Sequence, residues 1–175
     1  MLPGFGPTAG AALAQHLGVD KIAFTGSTAV GKQVVRDATS NLKKVTLELG
    51  SKAPNVVFAD ADLDKAIATA VKTFCGNSGQ VCSAGTRLFV QESLRDEVAE
   101  RVASEAATWK AGDPFAADTK LGPLISARQR DRVWSYIGAG QESGAALRLA
   151  RKAWYVPGYF VDPTVFDNVN NCMKI

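Results

Sequence analysis

The chain has 175 residues, 46% of them hydrophobic and 21% charged, with a net charge of +3; this is globular composition, sized for one domain or one and a fraction. Its 20 basic residues are scattered among 17 acidic ones, which excludes a nucleic-acid face, and no apolar run is long enough to span a bilayer. Three cysteines without framework spacing and a single histidine, His16, predict thiols in a reducing, cytoplasmic setting and exclude a zinc site.

The opening Met1-Leu2-Pro3-Gly4-Phe5-Gly6 has no basic stretch followed by an apolar one, so no signal peptide is expected. Gly4, Gly6 and Gly10 look like a dinucleotide fingerprint, but the spacing is one residue too long, Pro7 interrupts it and no strand precedes it. A loop leading into a short helix over 8–17, stopped by Gly18, is the expectation. Residues 21–25 read as a strand, and Gly26-Ser27-Thr28 opens a helix to about residue 38. Strand, turn and helix in this order suit an anion, because exposed amides at a helix start favour phosphate, Gly26 allows close approach and Ser27 adds a hydroxyl. A plain helix capped by Ser27 or Thr28 fits the same residues.

Residues 43–49 form a strand ending at Gly50, with Val45, Leu47 and Leu49 on one face and Lys44, Thr46 and Glu48 on the other. Glu48 therefore stands at the carboxyl end of a strand, the edge where open α/β sheets bind ligands; a solvated glutamate is the alternative. After a strand at 54–58, Asp60 and Asp62 start a helix whose apolar stripe is Leu63, Ile67, Ala70, Val71 and Phe74, with the helical pattern ending at Gly79. Cys82 follows, among small residues, ahead of an apolar strand at 87–91. Small neighbours leave room for a ligand, and the Cys82 amide can point into a cavity. Its thiolate would be a strong nucleophile; a small buried hydrophobe is the other reading of a cysteine.

Ser93 is expected to cap a long helix to about residue 110, with Leu94, Val98, Val102 and Ala106 buried, broken by Ala111-Gly112-Asp113-Pro114. A loop at 121–124, a helix from Ser126 to about residue 139, and strands at 146–149 and 159–166 complete the pattern. Trp109, Trp134 and Trp154 read as packing residues. Strand and helix alternate throughout, which gives an α/β class with a parallel sheet.

Three segments in order now carry a resemblance: Phe24-Thr25-Gly26-Ser27-Thr28, Leu47-Glu48-Leu49-Gly50-Ser51-Lys52-Ala53-Pro54-Asn55, and Gly79-Gln80-Val81-Cys82-Ser83. Together they resemble the NAD(P)-dependent aldehyde dehydrogenase superfamily, as do Leu-Gly-Pro-Leu-Ile at 121–125 and Gly-Tyr-Phe-Val-Asp-Pro-Thr-Val-Phe at 158–166. The resemblance covers essentially the whole chain. It implies an aldehyde-dehydrogenase-like α/β fold, incomplete, with residues 1–49 the C-terminal part of the dinucleotide domain and 50–175 the first part of the catalytic domain. It implies Cys82 as nucleophile and Glu48 as general base. Gly26, Ser27 and Gly31 match the turn that meets the cofactor pyrophosphate, and the Leu49 carbonyl lies where the nicotinamide amide is held. NAD or NADP, a small-molecule aldehyde substrate and a homo-oligomer follow as expectations.

This sequence departs from the family at Ser51, where a second glycine is common, and at Cys75 and Gly76, where aromatic residues commonly line the substrate funnel. Gly76 implies a wider funnel. Cys75 reads as structural and Cys172 as incidental. The adenine-binding strands and the later glutamate motif of the family have no counterpart in these residues. A catalytically silent fragment that only folds and self-associates is therefore the alternative. A third option is a cysteine hydrolase pairing Cys82 with His16.

Overall fold

The computed structural model describes residues 1–150 and 157–175; Trp154 lies outside the described residues. The chain divides into two compact units, Met1–Ser51 and Lys52–Ile175.

In the first unit a π-helical turn at Gly6–Gly10 leads into α1 (Ala11–Gln15). The helix stops earlier than its sequence suggests. His16 is extended, and its Nδ1 accepts the Gly18 N–H at 3.0 Å, so an imidazole rather than a left-handed glycine closes the turn. Strand β1 (Lys21–Gly26) pairs in parallel with β2 (Lys44–Leu49), in a register that sets Thr25 against Glu48 and Gly26 against Leu49. Both strands alternate, β2 as expected: Lys44, Thr46 and Glu48 are exposed, and Val45, Leu47 and Leu49 are half-buried. The crossover between them is α2 (Thr28–Asp37). Gly31 is buried on it, and a Cβ there would lie 2.7 Å from Leu49 Cδ2, so its missing side chain lets helix and strand pack closely.

The second unit begins with β3 (Pro54–Val57) and α3 (Leu63–Cys75). Asp62 caps α3: its carboxylate accepts the Lys65 N–H at 3.2 Å and pairs with Lys65 Nζ at 3.0 Å. Strand β4 (Arg87–Val90) lies parallel to β3. Ser93 does not cap the next helix. A 3₁₀ turn at Glu92–Leu94, closed by the Leu94 N–H on the Gln91 carbonyl at 2.9 Å, intervenes, and α4 runs Arg95–Ala107 without a side-chain cap. Ser126 does cap α5 (Ala127–Glu142), its Oγ accepting the Gln129 N–H at 3.2 Å.

The final strands are β5 (Ala146–Leu149) and β6 (Val165–Asp167), and they pair antiparallel, unlike the two parallel pairs before them. The strand expected over 159–166 is confined to its last residues. Pro163 has no N–H to donate to a ladder, and the Tyr159 carbonyl accepts instead from Leu124 N–H at 2.8 Å.

The core of this unit is the α3–α4 contact, with Ile67, Val71 and Cys75 against Val98, Val102 and Ala106. Val71 and Ala106 are 0% exposed, and Leu121 and Phe160 close the cluster. Trp109 packs against it. Each buried valine contributes roughly 1.5–3 kcal/mol of transfer free energy, and an Arg101–Asp64 ion pair ties the outer faces of the two helices. Among the described residues no helix is long and apolar enough to cross a membrane.

Candidate active site

In the first unit the parallel register brings four of the expected residues to one sheet edge. Gly26 ends β1, Glu48 and Leu49 end β2, and Ser27 starts the helix between them. The edge is the carboxyl one, where the loops of an open parallel sheet leave a crevice. The choice between Ser27 and Thr28 as cap is resolved for Ser27, whose Oγ accepts the Val30 N–H at 3.3 Å, while its carbonyl accepts Gly31 N–H at 2.9 Å. As an acceptor in that bond, the hydroxyl keeps its own proton to donate to a ligand oxygen.

The ten-residue α2 points its positive end at this edge. A Cβ on Gly26 would come within 2.5 Å of Phe24 Cζ, so only glycine fits there with the ring where it is. These features suit a pyrophosphate. Gly31 is the exception among the expected cofactor residues: it stands one turn into α2, buried against the Leu49 side chain, where its direct role is packing. Glu48 is exposed on the polar face of β2, as its alternation predicts.

The second unit holds Cys82. The thiol is exposed and in no disulfide, in a tight turn at the entrance to β4. The turn closes through Ala84 N–H to Val81 carbonyl at 3.2 Å and Thr86 N–H to Ala84 carbonyl at 2.9 Å. Ala84 is buried and pins it, and Gly85 lies where a Cβ would press on Thr73 Oγ1 at 3.3 Å. An exposed thiol is available to a reagent; a buried one is not, and Cys75 shows the difference.

Cys75 sits in the α3–α4 core, 3% exposed. Burial, reinforced by the charge of Glu105, pushes its thiol from the ordinary 9.0 up to about 12. The group is neutral in the folded chain until the pH approaches that value, whereas the unfolded thiol ionises near 9. Its stabilising contribution is complete below pH 9 and is lost as the pH rises from there towards 12. Urea midpoints measured across this range are expected to fall with pH, and to fall less steeply in Cys75→Ala. Cys172 is exposed near the C-terminus, and its backbone N–H donates to Asn170 Oδ1 at 2.9 Å.

Sequence reading did not single out Asn77 or Ser78, and marked Gln80 only as part of the motif that holds Cys82. The helical pattern taken to end at Gly79 stops at Cys75, and a turn of left-handed residues follows. The available signal was Asn77 and Gly79, since asparagine and glycine tolerate that conformation better than other residues.

A parallel β–α–β edge with a capped helix start in one unit, and an exposed cysteine on a tight turn in the other, mark an α/β protein. Residues 1–175 match the Aldehyde dehydrogenase family, and the chain belongs to that family. It is 51% identical over 176 residues to an aldehyde dehydrogenase of Alternaria alternata and 49% identical to retinal dehydrogenase 2 of Mus musculus. All of this chain is covered, against 35% and 34% of those relatives, so it spans about a third of their length. The solved NAD+ complex of aldehyde dehydrogenase from Bacillus cereus is 43% identical, with a TM-score of 0.94 over 99% of this chain and 35% of its own.

Proposed function

We propose that these residues carry the nucleophile, the base and part of the cofactor site of an enzyme that oxidises an aldehyde to a carboxylic acid with NAD or NADP. Residues 1–49 belong to its cofactor domain and 50–175 to its catalytic domain. The carrying observation is that β1–β2 pairing places Gly26, Ser27, Glu48 and Leu49 on one carboxyl edge, in a family chain that exposes Cys82. The Bacillus cereus neighbour binds NAD+, and the α2 start is suited to its pyrophosphate.

The Cys82 thiolate adds to the aldehyde carbon, forming a C–S bond and an oxyanion. Its backbone N–H donates to that oxyanion. NAD or NADP, when bound, would supply the acceptor for the hydride that leaves the same carbon, as the carbonyl reforms and leaves a Cys82 thioester. Glu48 takes a proton from water, hydroxide attacks the thioester, and the C–S bond breaks to release the acid and the thiolate. Gly26 and Ser27 would hold the pyrophosphate, and the Leu49 carbonyl would hold the nicotinamide amide. A cytoplasmic setting is part of the proposal, supported by three thiols of which none is in a disulfide.

Glu48→Gln tests the base. It keeps the side-chain shape but cannot take the proton, so thioester hydrolysis is expected to slow about 10²–10⁴-fold while acylation persists. Rapid mixing with aldehyde and cofactor should then show a burst of reduced cofactor and an acyl adduct on Cys82 by mass spectrometry. Unchanged hydrolysis in the variant would remove Glu48 from the mechanism.

A second reading is a folded chain without turnover of its own that self-associates. Val56, Phe58 and Phe89 favour it, since they are exposed at 54%, 64% and 41% along the β3–β4 pair. Sedimentation showing association, with no reduced cofactor at any chain concentration, would select it.

A further inference from the structure

Three consecutive residues before Cys82 are left-handed. Asn77 has φ 49° and ψ 38°, Ser78 has φ 54° and ψ 34°, and Gly79 has φ 74°. Glycine visits this region freely and asparagine at little cost, but a serine directly after a left-handed asparagine requires restraint from outside the turn. The restraint is visible. Ser78 Oγ donates to the Gly122 carbonyl at 2.8 Å, and Gln80 Oε1 accepts the Ile125 N–H at 3.0 Å. Across the turn, Asn77 Nδ2 donates to the Gln80 carbonyl at 3.2 Å and Gln80 N–H donates to the Asn77 carbonyl at 3.1 Å.

The distant partner is itself anchored. Leu121 and Leu124, on either side of Gly122 and Pro123, are buried, at 3% and 6% exposure. Leu121 N–H bonds to the Lys110 carbonyl at 3.0 Å, and Leu124 N–H to the Tyr159 carbonyl at 2.8 Å. The 121–125 loop is therefore a fixed strut on the core of this unit. It reaches the nucleophile turn through two side chains, 44 and 45 residues away in sequence.

We propose that Ser78 and Gln80 are positioning residues for Cys82: they lock the strained turn to the 121–125 strut and so fix the thiol and its backbone amide in reactive geometry. This rests on the reading of Cys82 as the nucleophile. Released from either tie, the turn relaxes towards ordinary backbone angles and carries Cys82, two residues past Gln80, out of place. Cys82 then reacts as an unplaced surface thiol.

The test is competitive labelling with iodoacetamide at neutral pH in the 175-residue chain, with each cysteine quantified by mass spectrometry. Exposed Cys172 serves as internal reference and buried Cys75 as the report on folding. The wild type is expected to label Cys82 faster than Cys172. Gln80→Met, which keeps length but loses the acceptor, should cut that ratio about three- to tenfold, the population change one net hydrogen bond controls. Ser78→Ala should do the same independently. Cys75 should stay protected in both, and amide exchange at Ile125 should accelerate in Gln80→Met.

A purely structural role would expose Cys75 and leave the ratio among folded molecules unchanged. If Gln80→Met does not fold, Ser78→Ala alone decides. A fast wild-type Cys82 with an unaltered ratio in the folded variants overturns the positioning role and leaves the nucleophile standing. A wild-type Cys82 no faster than Cys172 overturns both.

Discussion

Cys82→Ala is expected to lower the rate of covalent capture of aldehyde, and the reduction of cofactor that follows it, by at least about 10⁴-fold, because no other group replaces an attacking thiolate. Of the other two cysteines, Cys75 is buried with its ionisation pushed up to about 12, and Cys172 lies 90 residues further along the chain. The variant should fold normally. The Cys82 side chain is exposed and fills no core position, so the expected change in stability is within about 0.5 kcal/mol. Intact-mass spectra after mixing with aldehyde and cofactor check this directly: an acyl adduct in the wild type, none in the variant, with superimposable urea curves. Adduct formation at an unchanged rate in Cys82→Ala would move the nucleophile elsewhere.

Val71→Asp has the largest expected effect on the fold. Val71 is 0% exposed at the centre of the α3–α4 contact. A carboxylate there has apolar neighbours on the facing helix, Val98 and Val102 among them, and an unpaired buried charge costs more than about 4 kcal/mol. Whole domains are stable by about 5–15 kcal/mol, so a large part of the second unit's margin disappears. Circular dichroism against urea should show a midpoint shifted far down or a chain already unfolded. Cys75, four residues along the same stripe, should label readily at neutral pH. A midpoint within experimental scatter of the wild type would mean that the α3–α4 contact does not hold the unit together.

Much of this was legible in the sequence because it depends on local rules. The alternation of Lys44 to Leu49 fixed which face Glu48 occupies, and the strand–Gly–Ser–helix order fixed where Ser27 stands. The stripes of α3 and α4 anticipated the buried residues Ile67, Val71, Val98, Val102 and Ala106. What was not legible depends on distant partners. Ser93 looked like a helix cap, but the Gln91 carbonyl captures Leu94 N–H first and starts a 3₁₀ turn. The strand expected from residue 159 gives way where Leu124 takes the Tyr159 carbonyl.

The same limit hid part of the candidate site. Gly31 reads as a phosphate-turn glycine, and only the fold shows that it clears space for Leu49. Gln80 stood in the quoted motif, but the ties that Ser78 and Gln80 make were not legible, since their partners are Gly122 and Ile125. The ordered motifs around Gly26, Glu48 and Cys82 pointed to the family before any of these contacts were visible, because each motif is set by chemistry at one place in the chain.

The most direct measurement is the formation of NADH and NADPH by the purified chain with a panel of aliphatic and aromatic aldehydes, run beside Cys82→Ala. Reduced cofactor from the wild type, absent from the variant and matched mole for mole by carboxylic acid, is the expected result. Turnover that survives in Cys82→Ala, or no turnover together with a Cys82 that labels no faster than Cys172, would contradict the role given to Cys82.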